Sequence, residues 1–317
     1  MENPITIINK NELSLSEKEY SQKIAWAALS DNTRGVYESA LASYVRSGFS
    51  LPATKMDVLH YLTTATKWQR KTQNGEVNFI ATDKPLSISS LNTQLAALVF
   101  YNKLSGGENL KSDNDIANTL KVIKRKRGKM PKQAKPILLA DLKRVINDKS
   151  MSLRNKALLS LGFVTASRRS ELSALNINDL VFKEEGLEVI IQRSKTDQEG
   201  QGLIKYISEG NKKFCPIRIM KAYLVERQAL SNAEDEQALF LSHSGKRLSG
   251  KDIGRIVTKY FGTTGHGLRS GFVSQAALAG IQVTRIAQQT GHKSLDMVNK
   301  YYQNVRGIID SPTNDLY

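Results

Sequence analysis

The chain has one cysteine among its 317 residues. Cys215 has no partner for an internal disulfide, so a reducing, cytoplasmic setting is the expectation. No apolar run approaches the ~20 residues needed to cross a bilayer, and the N-terminal MENPITIINKNEL lacks the basic flank and apolar stretch of a signal peptide. A membrane partner is therefore not expected. A GxxxxGK[ST] phosphate loop is missing, which removes support for ATP-driven mechanisms. So are Cys/His clusters of zinc spacing, a carboxylate pattern suggesting a two-metal clamp, and any repeat with a period of roughly 20 to 50 residues. No metal or other cofactor is expected. If such a chain cuts nucleic acid, it does so with a side-chain nucleophile and basic residues.

What is abundant is positive charge. Lys and Arg number 46 against 30 Asp and Glu, a net +16 with a pI near 9.7. An excess of this size points to a polyanionic partner. Residues 1–115 are neutral overall, with 12 basic and 12 acidic side chains. Residues 116–135, IANTLKVIKRKRGKMPKQAK, hold 8 basic residues and no acidic one. This stretch begins as a helix and loses that pattern at Gly128, before Pro131 and Pro136. Lys124, Arg125, Lys126, Arg127, Lys129 and Lys132 are the candidate phosphate contacts, because uncompensated cations repel one another unless a phosphate backbone lies alongside.

The length suggests about two domains. A tail over residues 1–14 precedes a helical domain at 15–125, a basic linker at 126–136, a mixed domain at 137–302 and a C-terminal tail at 303–317. In the first domain, Ser14 and Glu17 fit a capping box, and Ser30-Asp31-Asn32-Thr33 starts a second helix. Residues 15–125 show no convincing strand, and Lys71 to Lys84 reads as a loop. After Pro136, helices are expected at Leu139 to Ile146, Ser152 to Phe163, Pro216 to Ala229, Gly250 to Tyr260, Leu268 to Ala279, Val283 to Thr290 and Ser294 to Tyr302. Strands are expected at Leu187 to Ile191 and Leu203 to Ile207, joined through a polar hairpin tip.

Three segments carry chemistry. They are Arg168-Arg169-Ser170-Glu171-Leu172, His266-Gly267-Leu268-Arg269, and Gly291-His292 followed nine residues later by Tyr301. With Lys195 on the hairpin tip, this ordered set resembles the tyrosine recombinase (phage integrase) family. The resemblance implies a mainly α protein: a helical, SAM-like core-binding domain followed by an α+β catalytic domain with a small antiparallel sheet.

A phosphodiester under attack spreads negative charge over its non-bridging oxygens, and two guanidiniums suit that charge. Arg168 and Arg269 match the family's pair, with Arg169 the adjacent contender to Arg168. His266 resembles the proton-transfer histidine, and imidazole titrates near neutrality. His292 resembles the residue that supports the phosphate. Glu171 resembles the acid that holds the active-site histidine. Lys195 resembles the general acid for the departing 5′ oxygen, with Lys205 on the next strand as fallback. Tyr301 resembles the nucleophile. Tyr302 lies ~100° away around a helix, so one of the two faces the site. Two positions depart from the family's habit. Ala166-Ser167 stands where Gly-Leu is common, and Ser270-Gly271-Phe272 where His-Thr-Phe is common.

The resemblance implies a site-specific DNA recombinase of a mobile element, acting through a 3′-phosphotyrosyl intermediate without metal or ATP. The alternatives are a type IB topoisomerase-like activity and an inert DNA-binding control factor of the same fold. The implied partners are double-stranded DNA and copies of the chain: a monomer when free, a homotetramer on two duplexes. The tail contributes Val305, Ile308, Ile309, Leu316 and Tyr317, which the resemblance docks on a neighbouring protomer.

Overall fold

The computed structural model describes residues 17–73, 76–127, 134–192, 202–209, 214–230, 234–292, 294–306 and 311. Lys129, Lys132, Lys195 and Ser14 lie outside them. So do Ile308, Ile309, Leu316 and Tyr317 of the tail. Two compact units emerge, residues 1–131 and 132–317.

The first unit runs α1 (Glu17–Ala27), α2 (Asp31–Arg46), α3 (Lys55–Thr64), β1 (Thr66–Gln73), β2 (Glu76–Pro85), α4 (Ile88–Ser105) and α5 (Asn114–Arg127). Hydroxyl caps start the helices: Ser30, Thr54 and Ser87 accept from the third backbone N–H beyond them at α2, α3 and α4. Tyr44, Tyr61, Leu62, Leu91, Leu98 and Ile116 are buried together.

The loop expected at Lys71 to Lys84 is instead part of an antiparallel hairpin, Thr66↔Pro85 to Gln73↔Glu76. Its strands are exposed along nearly their whole length. No face is buried enough to impose an apolar alternation, so the period-2 signal is missing. The remaining clue is Asn74-Gly75 between the strands, a dipeptide favoured in two-residue hairpin turns. Helix α5 ends at Arg127, where the sequence loses its helical pattern before Gly128, so Lys124 to Arg127 form its exposed last turn and the linker boundary set at 126 falls inside the helix. Cations at a helix C-terminus are stabilised by the macrodipole.

The second unit contains α6 (Leu139–Ile146), α7 (Leu153–Val164), α8 (Arg169–Ala174), β3 (Leu180–Phe182), β4 (Gly186–Ile191), β5 (Leu203–Ser208), α9 (Pro216–Gln228), α10 (Gly250–Phe261), α11 (His266–Leu278), α12 (Val283–Thr290) and α13 (Leu295–Arg306). The sheet is antiparallel in the order β3-β4-β5. The chain is thus mainly helical with small antiparallel sheets. Short α8 and β3 escape periodicity because six and three residues do not complete a pattern. Helix α13 extends to Arg306, so residues 303–306 belong to it and not to a tail. Arg306 anchors this end by donating to Ala277 O at 3.3 Å.

Buried α7 forms the centre of the unit, with Leu158, Leu159, Leu161 and Phe163 in one core with Leu172, Val189, Met220, Tyr223 and Leu268. The segment before α6 crosses α11, with Ile137 N–H donating to Gly267 O at 3.0 Å. A Cβ on Gly271 would sit 1.9 Å from Ile137 O. This close approach accounts for a glycine at this position. Gly271→Thr is expected to destabilise the unit by about 2–3 kcal/mol through overpacking. A urea midpoint equal to that of the unaltered chain would show that the crossing yields freely.

Candidate active site

The site starts where α7 ends. Ala166 is fully buried and takes φ +49°, the chain's one described non-glycine residue in the left-handed region. Such a conformer costs on the order of 1–2 kcal/mol in an L-residue and persists only when its surroundings hold it. It turns the chain sharply between α7 and α8, and Arg168 follows as the N-cap of α8.

Arg168 and Glu171 are joined twice. The Arg168 backbone N–H donates to Glu171 Oε2 at 3.0 Å, and its Nη1 donates to Glu171 Oε1 at 2.7 Å. Neighbouring Arg169 turns away and packs over Gly254 and Gly265. Geometry therefore separates the two contenders: Arg168 is the arginine tied to Glu171. The expected histidine partner of Glu171 is not found. The carboxylate is 3% exposed, and its other ion pair is with Lys205 Nζ at 3.3 Å. With two cations already against it, no hydrogen bond joins it to a histidine among the described residues. Burial pushes its pKa up, but the Lys205 charge and the Arg168 hydrogen bonds outweigh that and hold it below the usual range.

Arg269 lies one turn into α11 and is 2% exposed. Its Nη1 donates to Ala166 O at 3.0 Å, and its Nη2 meets His292 Nε2 at 2.9 Å. A guanidinium only donates, so His292 Nε2 is the acceptor and Nδ1 carries the proton. That proton goes to Thr290 Oγ1 at 2.7 Å, while the Thr290 hydroxyl donates to Ile286 O at 2.8 Å. The Gly-His turn makes this possible, because Gly291 ends α12 at φ +68°. Burial and then the charges of Arg269, Arg168 and His266 push His292 down to about 4. It is a neutral acceptor that orients Arg269. Burial and the Arg168 charge bring Arg269 down to about 10, still a cation at neutral pH.

His266 opens α11 and faces outward, with Nε2 3.3 Å from the Tyr301 hydroxyl. Partial desolvation and then the charges of Arg269, Arg168 and Arg169 hold it below its ordinary 6.5. Tyr301 sits on α13, half-buried against a cluster that includes Val273, Ile286 and Val298. Tyr302 packs against the same cluster, with its ring 5.7 Å from the Arg306 guanidinium. Arg168, Glu171, His266, Arg269, His292 and Tyr301 are thus joined through this single unit, and Lys195 lies outside the described residues. Among the described residues, no three His, Cys, Asp or Glu side chains group so as to hold a metal ion. No helix there is long and apolar enough to cross a membrane.

Lys205, named from the sequence as the fallback acid, is 1% exposed and enclosed beside Glu171. One feature escaped the linear reading, a basic face on α10, where exposed Lys251, Arg255 and Lys259 recur every four residues and line a depression with Arg169. The spacing of four is legible in the sequence, but its proximity to Arg169 is not.

The sequence profile of the phage integrase family matches residues 130–306. The integrase/recombinase xerD homolog of Selenomonas ruminantium is 28% identical, covering 98% of this chain and 92% of that protein. The Tn1549 transposon integrase in complex with transposon right end DNA superposes with a TM-score of 0.60 at 18% identity, over 94% of this chain and 98% of the other. A lambda integrase dimer bound to a core site gives 0.57 at 16% identity, over 97% and 82%.

Proposed function

The chain belongs to the phage integrase family of tyrosine recombinases, enzymes of DNA cleavage and rejoining, and from that membership we propose how its own residues act in site-specific recombination. The observation that carries the reading is the contact between Tyr301 and His266 beside two arginines. With Nε2 unprotonated, His266 accepts the phenolic proton as Tyr301 Oη attacks the scissile phosphorus. The bond to the 5′ oxygen breaks, leaving a 3′-phosphotyrosyl link. Lys195 is the proposed donor of the proton to that departing oxygen. Arg168 and Arg269 hold the non-bridging oxygens as charge develops on them. The 5′ hydroxyl of a partner duplex reverses the steps, so the energy of the broken bond is conserved in the tyrosyl link. No nucleotide or metal enters this scheme.

The substrate is double-stranded DNA, with Lys124 to Arg127 of α5 and the Lys251, Arg255 and Lys259 face of α10 as phosphate contacts. Lys129 and Lys132 join this proposal from the sequence alone. Exchange between two duplexes cut on both strands requires four protomers, and the cell compartment that fits is the cytoplasm.

The test uses two plasmids carrying a site selected by binding from random duplexes, in excess EDTA and without nucleotide. Joined products support the reading. Relaxation of site-free supercoiled plasmid with no joint molecules would instead favour a topoisomerase-like activity. Binding with neither outcome would favour an inert control factor. Neutralising Lys124, Arg125, Lys126 and Arg127 together is expected to weaken binding to all sequences about equally. The salt slope should fall by up to ~4. An unchanged slope would mean that this helix end touches no phosphate.

A further inference from the structure

We infer that Lys205, outside the motif residues, is a positioning residue that sets the Arg168 guanidinium through the Thr165–Ser167 turn and Glu171; this rests on the recombinase reading of the site. Lys205 occupies an inward position of β5, where the strand otherwise buries Ile207. An ammonium there is costly unless every proton finds an acceptor. Each does: Nζ donates to Thr165 O at 2.8 Å, to Ser167 Oγ at 3.2 Å and to Glu171 Oε2 at 3.3 Å. Two of these acceptors belong to the turn that delivers Arg168. The third is the carboxylate that holds Arg168 by backbone and side chain.

From the other side, Arg269 takes Ala166 O. The turn is thereby pinned at three consecutive residues, by Lys205 at 165 and 167 and by Arg269 at 166. Ala166 keeps its left-handed conformer inside this grip. Gln289 bridges the same neighbourhood, donating to Val164 O at 2.9 Å and Tyr206 O at 3.2 Å.

The same geometry excludes Lys205 as the general acid. A proton donor to a leaving oxygen needs an open proton, and all three of its protons are engaged with the protein. The charged groups facing it are Glu171, Arg168 and Arg269. Burial brings Lys205 down to about 8, against the pull of Glu171 and with the push of Arg269 and Arg168. The protonated form is the one that bridges the turn to Glu171. Cleavage should therefore be lost as pH rises through about 8.

The test is single-turnover cleavage of a nicked suicide duplex by the full chain, from pH 7 to 9.5, with duplex binding and thermal melting in parallel. Lys205→Met is expected to bind within about threefold of the unaltered chain and to cleave on the order of 10²-fold more slowly. It should also lose the alkaline fall in rate. Lys205→Arg, which keeps the charge, should recover part of the rate and show no alkaline fall. A duplex with a 5′-bridging sulfur at the scissile position separates positioning from acid catalysis, because a thiolate leaves without protonation. Lys205→Met should remain slow on it. Recovery to the rate of the unaltered chain would overturn positioning in favour of proton donation. A cleavage rate for Lys205→Met within about threefold of normal would overturn the role altogether. Should Lys205→Met not melt cooperatively, the unaltered chain decides: a rate flat through pH 9.5 overturns the role, and a fall near pH 8 that Lys205→Arg lacks supports it. If the unaltered chain forms no adduct on either duplex, the recombinase reading fails, and this role with it.

Discussion

Tyr301→Phe is expected to bind duplex DNA as the unaltered chain does and to form no covalent protein–DNA adduct. The loss in cleavage should be on the order of 10⁶-fold, the scale seen when a nucleophile is removed. Only the hydroxyl changes. The ring keeps its place against Val273, Ile286 and Val298, so folding should be untouched. A denaturing gel of a nicked suicide duplex reads the result. An adduct persisting in Tyr301→Phe would move the nucleophile to Tyr302, whose ring now faces Arg306. The unaltered chain adds a pH signature. His266 accepts a proton only when neutral, and its pKa lies below 6.5. The rate should hold on moderate acidification and fall once pH drops through that depressed value.

Arg269→Ala should reduce cleavage by about 10³-fold or more, the upper range for loss of one preorganised donor to a developing oxyanion. The side chain serves three groups. It meets the proposed phosphate, donates to Ala166 O and gives His292 Nε2 its donor. Truncation leaves two buried acceptors unpaired, which costs about 1–3 kcal/mol each and should lower the melting temperature. Arg269→Lys separates the effects. It keeps a cation but not the planar fork, so it should restore stability more than rate. A lysine variant that cleaves at the normal rate would show that charge alone suffices and that the paired geometry does nothing.

The longer helices of the second unit and the site motifs were legible because each carries a local signal. Val283–Thr290 and Leu139–Ile146 follow the expected ranges, since apolar spacing defines both and Gly291 ends the first. Arg168, His266, Arg269, His292 and Tyr301 were named by order and spacing. The β1–β2 hairpin was not seen, because its exposed strands carry no buried face to write an alternation. The end of α13 was placed too early, because it runs on to an anchoring arginine and not along a periodic stripe.

By itself the sequence determined the basic character, and its ordered motifs carried the resemblance to the family, the mainly helical class that it implies and the candidate residues of the site. Order and spacing along a chain are enough for such a resemblance, because they survive without coordinates. Partnership was decided only by the tertiary structure. The motif already preferred Arg168 to Arg169, and the fold adds that Arg168 meets Glu171 while Arg169 packs on the glycines near α10. Spacing already preferred Tyr301 to Tyr302, and the fold adds the contact of the Tyr301 hydroxyl with His266. Glu171 and Lys205 are 34 residues apart in sequence and 3.3 Å apart in the fold. No local pattern records that contact, because what makes a buried lysine tolerable is the set of acceptors that distant segments bring to it.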